Sequence, residues 1–129
     1  MRIIKVPCEV YKADVEFWMD CSEKKFVSEM KKLGENLLED GCSGMYIQIK
    51  EKKSLRAKRR IVWIEKYPKT IEQKAILVHE LFHLVSSILS YKNIRLVMDD
   101  NGEYLGTSEE SFAYLIEYYY KKIFELLKS

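Results

Sequence analysis

The sequence predicts an α+β fold, a small and mostly antiparallel sheet packed on three helices. Short apolar or alternating runs at residues 3–6, 15–19, 45–49 and 61–64 have the length and period of strands. Three longer segments repeat apolar residues at helical spacing, and each is headed by a capping signature. The chain has 129 residues, 47% hydrophobic and 33% charged, which suits one domain with a real core.

Taken in order, Ile3–Val6 and Val15–Met19 read as two strands or one broken strand. Asp20-Cys21-Ser22-Glu23 has the D-x-x-E form of a capping box. It predicts a first helix to about Asp40, with Phe26, Val27, Met30, Leu33, Leu37 and Leu38 on its apolar face and Gly41 and Gly44 as stops. Met45–Ile49 and Ile61–Ile64 then form a long hairpin across a polar, basic connector, and Pro68 ends its second strand. Thr70-Ile71-Glu72-Gln73 is a second box and opens a helix to about Tyr91. Residues 93–106 read as loop with a turn at Asp99-Asp100-Asn101-Gly102. Thr107-Ser108-Glu109-Glu110 is a third box, opening a helix that buries Phe112, Leu115, Ile116, Tyr119, Ile123, Leu126 and Leu127.

Projected at about 100° per residue, the second helix carries two apolar stripes. One is Ile71, Ala75, Val78, Phe82, Val85 and Leu89, and the other is Leu77, Leu81, Leu84 and Ile88. Such a helix is expected to be buried on most sides. Its remaining sector holds Glu72, His79, His83, Ser86, Ser87 and Ser90, small and polar side chains that read as the wall of a cleft.

Charge and cysteine usage exclude several classes. Lys and Arg total 22 against 20 Asp and Glu, so the net charge of +2 sets up no global field for nucleic acid or membrane. No apolar run reaches the ~20 residues of a transmembrane helix, and the N-terminus lacks a signal peptide's apolar region. Cys8, Cys21 and Cys42 are odd in number and widely spaced, which fits reduced thiols in a cytoplasmic protein.

His79-Glu80-Leu81-Phe82-His83 is an HExxH run holding the only two histidines of the chain. On a helix, i and i+4 lie one turn apart on one face, so two imidazoles can converge on one ion. The residue after the first histidine, Glu80, stands where a carboxylate takes a proton from metal-bound water. A catalytic zinc site wants a third protein ligand. No further histidine exists, and Cys21 and Cys42 both precede the hairpin strands. Glu110 is the preferred third ligand because it shares a stripe with Tyr114, Glu117 and Lys121. Glu109, which projects towards the apolar side, is the alternative, and Asp99 and Asp100 are weaker candidates. Glu110 also suits the third position of the capping box.

With these residues the chain resembles the zincin metallopeptidases of the glutamate-ligand kind. In compactness and spacing it is similar to the ImmA/IrrE-type peptidases of phage and bacterial stress circuits. It is similar too to short phage-encoded proteins that pair HExxH with E-x-x-A-Y, here Glu110-Ser111-Phe112-Ala113-Tyr114. The likeness spans about residues 70–120. Phe82 stands where ImmA-type proteins often have glycine, and Tyr114 where thermolysin-like enzymes keep an aspartate. The resemblance implies a single minimal zincin-like metallopeptidase domain over residues 1–129. It would be a zinc-dependent peptidase with Zn²⁺ on His79, His83 and Glu110, Glu80 as general base, and Tyr114 as donor to the oxyanion.

The implied partner is a protein or peptide substrate. Lys50, Lys52, Lys53, Arg56, Lys58, Arg59 and Arg60 form a basic cluster that phosphates could use, but no aromatic side chain is interleaved for base stacking. A solvated hairpin loop is the preferred reading of that cluster. The alternative to catalysis is a non-catalytic domain of the same fold that binds a protein or nucleic-acid partner.

Overall fold

Strands β1 (Arg2–Val6) and β2 (Val15–Met19) pair antiparallel, with Val6 opposite Val15 and Arg2 opposite Met19. Strands β3 (Gly44–Lys50) and β4 (Ala57–Ile64) form the expected hairpin. The two pairs join through a parallel contact of β2 with β4, which gives a mixed, mostly antiparallel sheet of order β1-β2-β4-β3. The computed structural model describes residues 1–8, 13–50, 57–92 and 108–128. Asp99, Asp100, Thr107 and most of the basic connector lie outside the described residues.

Because side chains alternate across a strand, the sheet has two apolar faces. Val15, Phe17, Met19, Val62 and Ile64 face helices α2 (Ile71–Ser90) and α3 (Ser108–Leu127) in the main core. Trp18, Ile61 and Trp63 face α1 (Glu23–Lys32) on the other side, where Phe26 stacks on Trp63 at 4.9 Å and meets Trp18 edge-on at 5.8 Å. The Trp63 indole N–H is satisfied by the Cys21 carbonyl at 2.8 Å. The sheet therefore lies between one helix and a helix pair.

The first helix departs from the sequence expectation at both ends. Its N-cap is Ser22, whose hydroxyl accepts the Lys25 N–H at 3.2 Å. Asp20 instead turns the chain at φ +52° and accepts the Tyr67 N–H at 3.0 Å. The helix stops at Lys32, well short of Asp40. Gly34, at φ +87°, takes the left-handed position of a Schellman motif, with Gly34 N–H bonded to Lys31 O and Glu35 N–H to Met30 O. Leu37 and Leu38 thus lie beyond the helix, and Leu38 is exposed.

Helix α2 begins as predicted, with the Thr70–Gln73 capping box formed in both directions. Its burial does not follow the expectation of a helix covered on most sides. Leu77, Leu81, Leu84, Val85, Ile88 and Leu89 are buried, whereas Ile71, Val78 and Phe82 of the first stripe are exposed. The serine sector does face a neighbouring element, and that element is β3. Tyr46 donates to the Ser87 hydroxyl at 2.9 Å, and Ser87 donates to Gln48 Oε1 at 2.6 Å. Helix α3 buries Phe112, Leu115, Tyr119, Ile123 and Leu127, and runs antiparallel to α2, with Phe82 near Phe112 and Lys74 near Phe124.

Candidate metal centre

The start of α1 and the turn before β3 meet at one carboxylate. Glu23 sits in the first turn of α1, where a negative charge suits the helix dipole. It accepts backbone N–H groups from Asp40 (3.4 Å), Gly41 (3.1 Å) and Cys42 (2.9 Å). Gly41, at φ +84°, supplies the left-handed step that aims these N–H groups at one acceptor. Asp40 Oδ1 also accepts the Cys42 N–H at 3.2 Å. The Cys42 thiol, hydrogen-bonded to Asp40, is pushed up to about 11, first by that bond and then by burial. Asp40 is correspondingly lowered, chiefly by the same bond.

One ligand atom each from Glu23, Asp40 and Cys42 lies within 4.8 Å of the other two, so this cluster could coordinate a metal ion. Two carboxylates and a thiol are a mixed hard and soft donor set. None of the three stands in a ligand motif of the sequence: Glu23 closes a D-x-x-E capping signature, and Asp40 and Cys42 flank the Gly41 expected to stop the first helix.

Cys42 also opens onto the cleft between β3 and α2. Cys42, Gly44, Ile76, His79 and Glu80 line a cavity of about 350 Å³, and Cys42, Met45, Tyr46, Glu80 and His83 line an adjoining one of about 360 Å³. Glu80 as a residue is only 7% exposed, and burial raises its pKa against the opposing influence of His83 and His79. The backbone of Tyr46, on β3, also lowers it, as the smallest of these influences. The imidazoles of His79 and His83 meet edge to face, with their Nε2 atoms 3.2 Å apart.

The expected third ligand is not among them. Glu110 is exposed and lies roughly half a turn round α3 from Phe112, Leu115 and Tyr119, the side chains buried beneath that helix. Glu109 is exposed as well. Tyr114, expected at the oxyanion, is 48% exposed and stacks on Tyr118 at 6.3 Å. Among the described residues, the group of three ligating side chains that converges is Glu23, Asp40 and Cys42, and it contains neither histidine.

That finding corrects the family and activity drawn from the HExxH run. The side chains do not assemble the two-histidine, one-glutamate centre of a glutamate-ligand zincin, so the ImmA/IrrE-like assignment, the zinc-peptidase mechanism and the enzyme class that rested on it are withdrawn. What stands is a generic α+β fold, a small mixed, mostly antiparallel four-stranded sheet packed on three helices. Among the described residues of the basic cluster, Arg59 binds Glu16, and Arg60 lies over the Tyr91 ring at 5.3 Å. Among the described residues, no helix is long and apolar enough to cross a membrane. No protein family, no characterised protein and no solved structure matches the chain.

Proposed function

We propose that this protein binds a single divalent transition-metal ion, Zn²⁺ by the character of its donors, through Glu23, Asp40 and Cys42, in a non-hydrolytic role. The observation that carries the reading is the convergence of those three donors within 4.8 Å at the junction of α1 and β3. A thiolate with carboxylates suits a borderline ion such as Zn²⁺ better than Mg²⁺ or Ca²⁺, which take oxygen ligands. When bound, the ion supplies coordinate bonds that cross-link the first turn of α1 to the turn entering β3.

The chain's own residues prepare for this. Glu23 already gathers the 40–42 turn by three backbone bonds, so the loop entropy of bringing Asp40 and Cys42 to it is spent on folding. Asp40, beside the Cys42 thiol, disfavours the thiolate in the absence of a cation. Uptake should therefore release a proton and strengthen with rising pH.

A second reading is favoured by the imidazole pair. Two nitrogens bound tetrahedrally at about 2.05 Å from one zinc stand ~3.3 Å apart, close to the 3.2 Å between the Nε2 atoms. Titration with Co²⁺, a spectroscopic substitute for Zn²⁺, separates the two. The expected result is one equivalent with a sulfur-to-cobalt charge-transfer band, lost in Cys42→Ser and retained in His79→Gln/His83→Gln. Loss of binding only in the histidine variant would move the ion to the imidazoles, and no binding in any form would end both readings.

A further inference from the structure

The antiparallel packing of α2 and α3 leaves a groove between the first turns of α2 and the last turns of α3. It has a volume of about 400 Å³, within the range of small-molecule sites, and is lined by Lys74, Tyr120, Lys121, Phe124, Glu125 and Lys128. Its floor is aromatic. Tyr120 and Phe124, one turn apart on α3, are partly buried against the main core, with ring centroids 4.9 Å apart and planes tilted by 54°. The rim is cationic. Lys121 is paired with Glu117 at 2.7 Å and Glu125 with Lys122 at 3.3 Å, but among the described residues neither Lys74 nor Lys128 forms an ion pair. Lys74 reaches over the Phe124 ring at 5.9 Å and so holds its ammonium beside the aromatic floor.

We infer that this groove binds a small planar aromatic anion. A flat ring can stack on Phe124 and meet the tilted Tyr120 ring at its edge, while one carboxylate, sulfonate or phosphate group meets the ammonium groups of Lys74 and Lys128. Glu125 on the same rim, with Glu117 two turns back along α3, opposes a long polyanion, so a nucleic acid is disfavoured. The site is independent of the proposed metal centre and does not depend on that reading.

The test uses the full-length protein and the probe 1-anilinonaphthalene-8-sulfonate, followed by its fluorescence and by backbone amide shifts. The expected result is saturable binding of one probe per chain, with shifts concentrated at Lys74 and residues 120–128. Affinity should fall about tenfold in Lys74→Gln/Lys128→Gln and weaken with added salt. Phe124→Leu, which keeps the core filled, should weaken binding without a change in thermal midpoint beyond a few degrees. Unchanged affinity in the lysine variant would overturn the proposal, as would shifts centred on Val78 and Phe82. So would tighter, competing binding of a single-stranded oligonucleotide, which would mark a polyanion surface instead.

Discussion

The Glu80 side chain of α2 lies against Gly44 of β3, its Cγ 3.3 Å from where a Cβ on that glycine would stand, so an acidic side chain covers the start of the outermost strand. An unpaired strand edge is a liability, and here a helix covers it with a buried acidic residue. The arrangement has a cost. Burial raises the Glu80 pKa, so the folded state holds its proton more tightly than the unfolded chain does. Stability from this group is present below the unfolded carboxylate pKa and is lost as pH rises through the raised folded value. Glu80→Gln keeps the size and shape of the side chain and removes the charge. It should be more stable than wild type at neutral pH, by about 1 kcal/mol, with the difference vanishing in acid. Glu80→Ala should be less stable by about 1–3 kcal/mol because the buried side chain between α2 and β3 is lost. Urea unfolding across the pH range measures both, and equal stability of the Ala and Gln variants would deny that packing any weight.

Gly44 allows that approach. A Cβ at this position would lie 2.8 Å from Ile76 Cγ2 and 3.3 Å from both Glu80 Cγ and the Trp63 carbonyl oxygen. The backbone conformation asks nothing of glycine here; the space does. Gly44→Ala should push α2 from the β3 edge and lower stability by about 1–3 kcal/mol, read as a fall in thermal midpoint. An unchanged midpoint would mean that Ile76 can move aside at no cost.

Much of this layout was legible in the sequence, because strands and capping boxes are local. The alternation in Val15–Met19 and Ile61–Ile64 named the right faces, and Thr70 with Gln73 named the start of α2. The metal cluster was hidden by one error of length. A helix continuous from Glu23 to Asp40 would set them ~25 Å apart at 1.5 Å per residue, so no contact between them was conceivable. Gly34 ends the helix at Lys32 and lets the chain turn back on its own first turn. The HExxH run misled for a different reason. Its spacing brings two imidazoles together on any helix, but where Glu110 points depends on which face of α3 packs, and Phe112, Leu115 and Tyr119 claim that face.

Arg59 and Glu16 form a bidentate pair across β4 and β2, with both nitrogen–oxygen distances at 2.7 Å. The Arg59 hydrogen bonds are the largest influence on Glu16 and hold its carboxyl below the ordinary value despite burial. A lowered carboxylate contributes stability that is present above the unfolded pKa and lost as pH falls through the folded one. Glu16→Gln should therefore cost about 1 kcal/mol at neutral pH, since the pair is partly exposed. The cost should disappear at low pH, where the wild-type carboxylate is protonated as well. A deficit that persists in acid would assign the loss to packing at Trp18 instead of charge.

Asp40 should control the reactivity of the Cys42 thiol. Its hydrogen bond is the first cause of the rise to about 11, and its negative charge further disfavours the thiolate. Asp40→Asn removes the charge and weakens the acceptor, so the thiol should return towards its ordinary 9.0. At mildly alkaline pH the thiolate fraction, and with it the alkylation rate by iodoacetamide, should rise about tenfold or more. Cys8 and Cys21 are buried, so the fast phase of labelling reports Cys42 alone. In Glu23→Gln the 40–42 turn loses its carboxylate clamp, and labelling should also accelerate, through exposure of the thiol and not through its ionisation. The pH profile separates the two variants: Asp40→Asn shifts the inflection downward, whereas Glu23→Gln raises the plateau. An Asp40→Asn profile that overlays wild type would show that the aspartate does not disfavour the thiolate, and would remove the reason to expect proton release on metal uptake.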